Sequence, residues 1–363
     1  MGSDAAAPRG RSNWLVPLLA WVVLALHFII GANVVVDLVA SGLLIAAVFS
    51  GVYHAEVIAH WLGEPFGTLV LAIAVTVIEV ALIVSMMVAG GPDKAVLARD
   101  TVFASVMIVC NGIIGVCLLA GGMRYREQDF KVYGASAALA VLATLTILTL
   151  ALPNFTTSAP GPNFNTLQLI FAGAVSVILY GSFVFVQTVR HRDYFLPASE
   201  DSAADGHASP PNTRTAVFSL LLLPVALGAV VGIAKALTPA LESGIDRLGV
   251  PKPVVGIVIA TVVLLPEAVA SFRAARKNRL QTSMNLALGS VLASIGLTIP
   301  TVAATSIVLH RPLSLGLGLK EEVLLVLTLL LCIITLGTGR TTVLQGIVHL
   351  VVFAAFLFMA IVP

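Results

Sequence analysis

The sequence predicts an all-α polytopic membrane protein. About eleven transmembrane helices are expected, as two inverted five-helix repeats plus an extra N-terminal helix. Three observations predict it. The 363 residues are 58% hydrophobic and only 10% charged, with a mean hydropathy of +1.03. A soluble domain is nearer one quarter charged, and so much apolar length does not fit one aqueous core. The apolar residues come in runs near the roughly 20 needed to cross a bilayer. Two of these runs, one in each half, carry a single glutamate in mid-span.

Taken in order, the runs fall near 14–30, 33–52, 66–89, 100–122, 133–151, 165–189, 215–237, 254–274, 281–307, 321–337 and 342–362. The stretch "MGSDAAAPRGRSNW" is short, polar and basic. No good cleavage site follows the first run, so that run is expected to be a retained helix and not a signal peptide. A very tight connection, "IIGANVV", joins the first two runs. Residues 190–214, "RHRDYFLPASEDSAADGHASPPNTR", are polar, partly acidic and Pro- and Ser-containing, which predicts a flexible cytoplasmic linker. Residues 1–32 are then the tail and extra helix, 33–189 the first repeat and 215–363 the second. With the N-terminus inside, thirteen of the 20 Lys and Arg fall on the inner side and seven on the outer. The positive-inside rule therefore favours an N-inside, C-outside topology.

Several function classes fall away. A net charge of +2 is too small to suggest a nucleic-acid partner. Cys110, Cys117 and Cys332 all lie in apolar runs, as small buried hydrophobes rather than a disulfide framework. No G-x-x-x-x-G-K-[ST] phosphate loop is present, and "HAEVIAH" lacks the His-Glu-x-x-His spacing of a catalytic zinc site. No nucleophile–base pair supports an intramembrane enzyme, and no cofactor is implied.

The two halves repeat one another. "TLVLAIAVTVIEVALIVS" (68–85) superposes on "GIVIATVVLLPEAVASFR" (256–273), which places Glu79 on Glu267. "KAVLARDTVFASVMIVCNG" (94–112) superposes on "KNRLQTSMNLALGSVLASI" (277–295), pairing Asn111 with Ser294. Five is odd, so homologous five-helix halves must lie upside down relative to one another, a common plan for secondary transporters. An ionised carboxylate in hydrocarbon is costly and marks function by default. A pair of carboxylates offers hard oxygen ligands to a cation such as Ca²⁺. Without the cation, burial and like charge favour protonation. Competition between cation and protons is the minimal chemistry of a cation/proton exchanger. Pro266, next to Glu267, is expected to kink or break its helix and free backbone carbonyls as further ligands.

His54, Glu56, His60 and Glu64 precede the third run. Their titratable side chains suit either an ion vestibule or pH gate or a solvated interfacial loop. Arg273, Arg276, Lys277 and Arg279 read as a positive-inside anchor facing lipid headgroups. Asp37, in the second run, has no assigned role.

The blocks "HAEVIAHWLGEPFGTLVLAIAVTVIEVALI" (54–83), "ARDTVFASVMIVCNGIIGVCLLAGG" (98–122) and "VGIVIATVVLLPEAVASFRAARKNRLQTSMNLALGSVLASIGLTIP" (255–300) resemble the calcium/cation antiporter superfamily. Within it, they resemble the bacterial ChaA-type Ca²⁺/H⁺ (and Na⁺/H⁺) antiporters and the Ca²⁺/H⁺ exchangers. The resemblance covers nearly the whole chain. It implies Glu79 and Glu267 as transport carboxylates, and ligand or gating roles for Asn111, Ser290 and Ser294. The alternative for Asn111 is an interhelical hydrogen bond, and for the two serines close helix packing. It further implies Ca²⁺ (or Na⁺ or K⁺) and H⁺ as substrates, the bacterial cytoplasmic membrane as location, and a possible homotrimer. The approaches to the two glutamates, "AVTVIE" and "VVLLPE", depart from the Gly-containing approaches of many relatives.

Overall fold

The computed structural model describes residues 9–31, 33–63, 66–89, 95–196, 211–247, 249, 251, 253–311 and 313–362. These residues form eleven helical runs: α1 Arg9–Ile30, α2 Val34–Leu62, α3 Phe66–Ala89, α4 Leu97–Tyr125, α5 Val132–Phe155, α6 Thr166–Arg190, α7 Thr213–Arg247, α8 Pro253–Arg276, α9 Leu280–Leu309, α10 Leu319–Leu336 and α11 Val343–Ile361. Gln128–Asp129 pairs antiparallel with Arg340–Thr341, and no larger sheet occurs among the described residues. Eight of the runs are long and apolar enough to cross a membrane, and α1 and α3 contain shorter apolar stretches. The remaining run, α10, has 18 residues, among them Lys320, Glu321 and Glu322 in its first turn. The all-α polytopic plan predicted from hydropathy is the observed one. Two helices differ in length: α2 continues through residues 53–62 and α7 through residues 238–247, which the sequence suggested lay outside the spans.

Local signals in the sequence explain several helix starts. Asn33 accepts from the Val35 amide at 2.9 Å and caps α2. In "NTLQ", Asn165 and Gln168 form a reciprocal capping box at the start of α6. Thr342 and Gln345 do the same for α11. The tight α1–α2 turn is possible because Gly31 adopts φ 78°, a left-handed conformation that glycine takes at little cost. Across that turn His27 Nδ1 lies 3.2 Å from Asp37 Oδ1, an ion-pair distance when the imidazole is protonated.

By their contacts the helices divide into two compact units. One holds α1, α2, α3 through Leu82 and α7 through Gly244. Here α1 packs on α2, and both pack on α7. Trp21 Nε1 donates to the Val225 carbonyl at 3.0 Å, and the rings of Trp14 and Phe218 meet at 4.7 Å.

The other unit holds α4, α5, α6 and α8 to α11, and α9 packs against α4, α5, α6 and α8. Small residues allow this close packing, as expected where lipid removes the hydrophobic force between helices. A Cβ on Gly346 of α11 would lie 2.5 Å from the Leu119 amide nitrogen of α4. One on Gly256 of α8 would lie 3.1 Å from backbone atoms of Asp100 and Thr101. Residues 191–196, at the start of the segment expected to be linker, pack on this unit. The Phe195 ring meets Phe183 edge-on, and its carbonyl accepts from Asn285 Nδ2 at 2.6 Å.

Because a side chain at position 346 meets backbone rather than a movable rotamer, Gly346→Leu should lower stability by about 1–3 kcal/mol or prevent folding. Gly181→Ala on α6, with nothing within 4 Å, should not destabilise. Thermal unfolding of the two purified variants checks the contrast.

Candidate functional site

Four predicted site residues fall on three mutually packed helices of the second unit: Glu267 on α8, Asn111 on α4, and Ser290 and Ser294 on α9. On α8 the positions Gly256, Ala260, Leu264, Glu267 and Ser271 recur at helical three-to-four spacing, and so share one seam. Gly256 marks that seam as the one facing α4. Glu267 is half-buried on it, and Ser271, one turn further, is fully buried.

Of the two expectations for Pro266, a kink or a break, the break does not occur: Pro253–Arg276 is one helix. Proline is tolerated because packed neighbours hold the helix on both sides. The chemical consequence is narrower than a break. Pro266 has no amide hydrogen, so the Val262 carbonyl one turn before it loses its helical donor.

The irregularity lies on α4 instead. Residues Ile108–Ile113 form a π-helical turn, and Asn111 is completely buried within it. A π-turn inserts one extra residue per turn and re-aims the side chains around it, frequently at functional sites. This turn packs against both α8 and α9. Asn111 Nδ2 donates to Thr328 Oγ1 on α10 at 2.9 Å. The Thr328 hydroxyl in turn points its hydrogen at Met107 Sδ, 3.4 Å away. Asn111 Oδ1 is buried and has no hydrogen-bond partner among the described residues. The amide therefore both braces α4 against α10 and keeps a neutral acceptor oxygen in reserve.

Ser294 is buried and Ser290 half-buried. Thr298, one turn beyond Ser294, is fully buried, and its Oγ1 has no partner among the described residues. Sequence reasoning missed Thr298 and Ser271. The signal was present: 290, 294 and 298 repeat at four-residue spacing, and Ser271 stands four residues after Glu267. The π-turn left no signal beyond one Asn-Gly pair in an apolar run.

Glu79 belongs to the first unit. It is 2% exposed on α3, on the face that also buries Val75, Ile78 and Leu82. α3 is continuous over Phe66–Ala89. The histidines lie within α2, not in a loop. His54 is buried, with Nδ1 3.1 Å from Ser219 Oγ on α7. Glu56 and His60 are exposed one turn apart on a single face. Glu64 lies outside the described residues. Among the described residues no group of three or more His, Cys, Asp or Glu could hold a metal ion.

A model of the sodium/calcium exchanger protein family matches residues 18–189 and 218–362. The chain belongs to the sodium/calcium exchanger protein family. The match leaves out 190–217, where the composition marks a linker. Among sodium/calcium exchanger family relatives, the chain is 51% identical over 354 residues to y4hA of Sinorhizobium fredii, provisionally described as an ionic transporter. That similarity covers 97% of this chain and 96% of the relative. It is 35% identical to the sodium-potassium/proton antiporter ChaA of Escherichia coli, over 98% of this chain and 97% of the relative. It is 24% identical to the Ca²⁺/H⁺ antiporter ChaA of Bacillus subtilis, over 69% and 70%. Among solved structures, the H⁺/Ca²⁺ exchanger CAX matches with a TM-score of 0.71 at 16% identity, covering 96% of this chain and 89% of that one. The Ca²⁺/H⁺ antiporter YfkE matches with a TM-score of 0.71 at 18% identity, over 98% and 100%. At such identities the structural likeness establishes the exchanger fold alone.

The Asn111–Thr328 bond gives a direct test of the bracing role. Thr328→Val should cost about 0.6–2 kcal/mol, the usual range for an interhelical hydrogen bond in a membrane protein. A double-mutant cycle with Asn111→Ala should return a coupling of that size. Zero coupling would remove the brace.

Proposed function

We propose that this protein is a secondary Ca²⁺/H⁺ antiporter, exporting cytoplasmic Ca²⁺ in exchange for protons by alternating access. Glu79 and Glu267 each hold a proton or take part in holding the cation. Asn111, Ser290 and Ser294 supply neutral oxygens, joined by Ser271 and Thr298. The observation that carries this reading is the buried, unpartnered Oδ1 of Asn111, in a π-turn packed against the helix of Glu267. A buried polar oxygen without a partner is costly, and Ca²⁺, which takes six to eight oxygen ligands, accepts neutral carbonyl oxygens together with carboxylates. The relatives described as Ca²⁺/H⁺ antiporters support the same reading.

The two five-helix halves, 33–189 and 215–363, are proposed as inverted repeats. The N-terminus is proposed to lie inside and the C-terminus outside the bacterial cytoplasmic membrane. No enzymatic step is part of the cycle.

A second reading keeps the residues and changes the ion: Na⁺ or K⁺ exchanges for H⁺. Its support is the 35% identity, over nearly the whole chain, to a sodium-potassium/proton antiporter, against 24% for the Ca²⁺/H⁺ antiporter of Bacillus subtilis.

Proton flux in proteoliposomes with an imposed pH gradient separates the two. Ca²⁺ is expected to collapse the gradient in the wild type, and Glu79→Gln and Glu267→Gln each to abolish this. Collapse by Na⁺ or K⁺ alone favours the second reading. Wild-type flux in both Gln variants would remove the carboxylates from the mechanism. Because protons and cation compete for the same oxygens, the apparent KM for Ca²⁺ should rise as the pH on the loading side falls. Asn111→Leu should raise the KM further than Thr328→Val, since only the former removes the acceptor oxygen.

A further inference from the structure

The second unit carries a broad groove of about 1120 Å³ between the end of α4 and the α8–α9 hairpin. One end of it is lined by Arg124, Arg273, Arg276, Lys277 and Arg279. Arg124, Arg273, Arg276 and Lys277 are exposed and form no ion pair among the described residues. The Tyr125 hydroxyl donates to the Arg276 carbonyl at 2.9 Å, which ties the end of α4 to the end of α8. Two of the cations rest on aromatic rings, Arg124 5.6 Å from the centre of Tyr125 and Arg276 5.8 Å from that of Phe272. Such a concentration of positive charge repels a cation substrate, so the groove is no vestibule for the ion the family carries.

Away from the cations the lining turns apolar: Phe272 lies against Arg276, and Val269, Val116 and Leu286 continue beyond it. Val116 precedes Arg124 by eight residues, about 12 Å along the helix axis, and Leu286 follows Arg279 by seven, about 10 Å. The lining thus changes from charged to apolar along the helices, over a distance matching the step from a lipid headgroup to its chains. A site for a free anion has no use for the apolar limb.

We propose that this groove binds an anionic membrane lipid. Its phosphodiester sits among Arg124, Arg273, Arg276 and Lys277, and one acyl chain lies along Val116, Phe272 and Leu286. Guanidinium groups hold phosphate oxygens by charge-assisted, often bidentate hydrogen bonds. Basic pockets between membrane helices suit such headgroups. On the N-inside topology proposed above, this end faces the cytoplasmic leaflet, where basic segments meet anionic lipid.

The test is lipid retention by the purified full chain, measured by native mass spectrometry after addition of phosphatidylglycerol or phosphatidylcholine. This readout needs no transport, so its failure is distinct from failure of the antiporter reading. Phosphatidylglycerol should be retained over phosphatidylcholine, and millimolar inorganic phosphate should not displace it. The triple variant R273Q/R276Q/K277Q should weaken retention by about fivefold per charge removed, on the order of 100-fold together. Arg340→Gln should change little, since Arg340 is paired with Asp129 and does not line the groove. V116Q/L286Q should weaken lipid retention through the apolar limb alone. If the triple variant unfolds in a thermal scan, Lys277→Gln, an exposed change in a turn, carries the same test at about fivefold. Equal retention of the two lipids, unchanged retention in the cation variants, or displacement by phosphate would each overturn the proposal.

Discussion

Hydrocarbon offers a polar group nothing to bond to, and most of this structure follows from that constraint. Backbone groups close on themselves in eleven helical runs, and side-chain polarity survives only where a neighbouring helix answers it. Asn111 is the clearest case. It is fully buried, its amide nitrogen is satisfied by Thr328, and Thr328 is oriented by Met107. The same constraint makes the leftover oxygen of Asn111 chemically conspicuous. The chain retains a carbonyl there without a fixed partner, on a turn that packs against the helix of Glu267.

Close approach of the helices is the second requirement, because polar groups can meet only if backbones do. Glycines at 115, 256, 296 and 346 stand where a Cβ would crowd atoms of a neighbouring helix. These contacts hold α4 against α8 and α11, and α9 against α6. The π-turn at Ile108–Ile113 sits in the middle of this packed set. A register change inside a helix is tolerated where neighbours fix it on several sides, and here it sets the direction of Asn111.

The ends of the same helices answer a different solvent. Exposed cations gather at the α8–α9 hairpin and at the end of α4, while the faces behind them turn apolar within two or three helical turns. α8 is thus graded along its length, from the half-buried Glu267 to Arg273 and Arg276 in its last turns. One helix joins the chemistry of a buried carboxylate to that of a charged membrane surface.

The sequence by itself determined the helix count, most helix limits and the identity of the intramembrane acids. Run length, capping residues and the rarity of charge in apolar runs are local properties, and they are written residue by residue. Serines at 290 and 294 were equally legible, and Thr298 and Ser271 stood at the same spacing. The linker's composition was visible too, though not the docking of Phe195, which depends on Asn285, 90 residues away. Only the tertiary structure decided that His54 turns inward to Ser219 while Glu56 and His60 face out, that α8 stays whole through Pro266, and that α4 holds a π-turn at Asn111. These outcomes rest on which helix lies beside which. A proline kinks or passes, and a helix gains a residue per turn or does not, according to neighbours far away in the chain, and no local pattern carries that information.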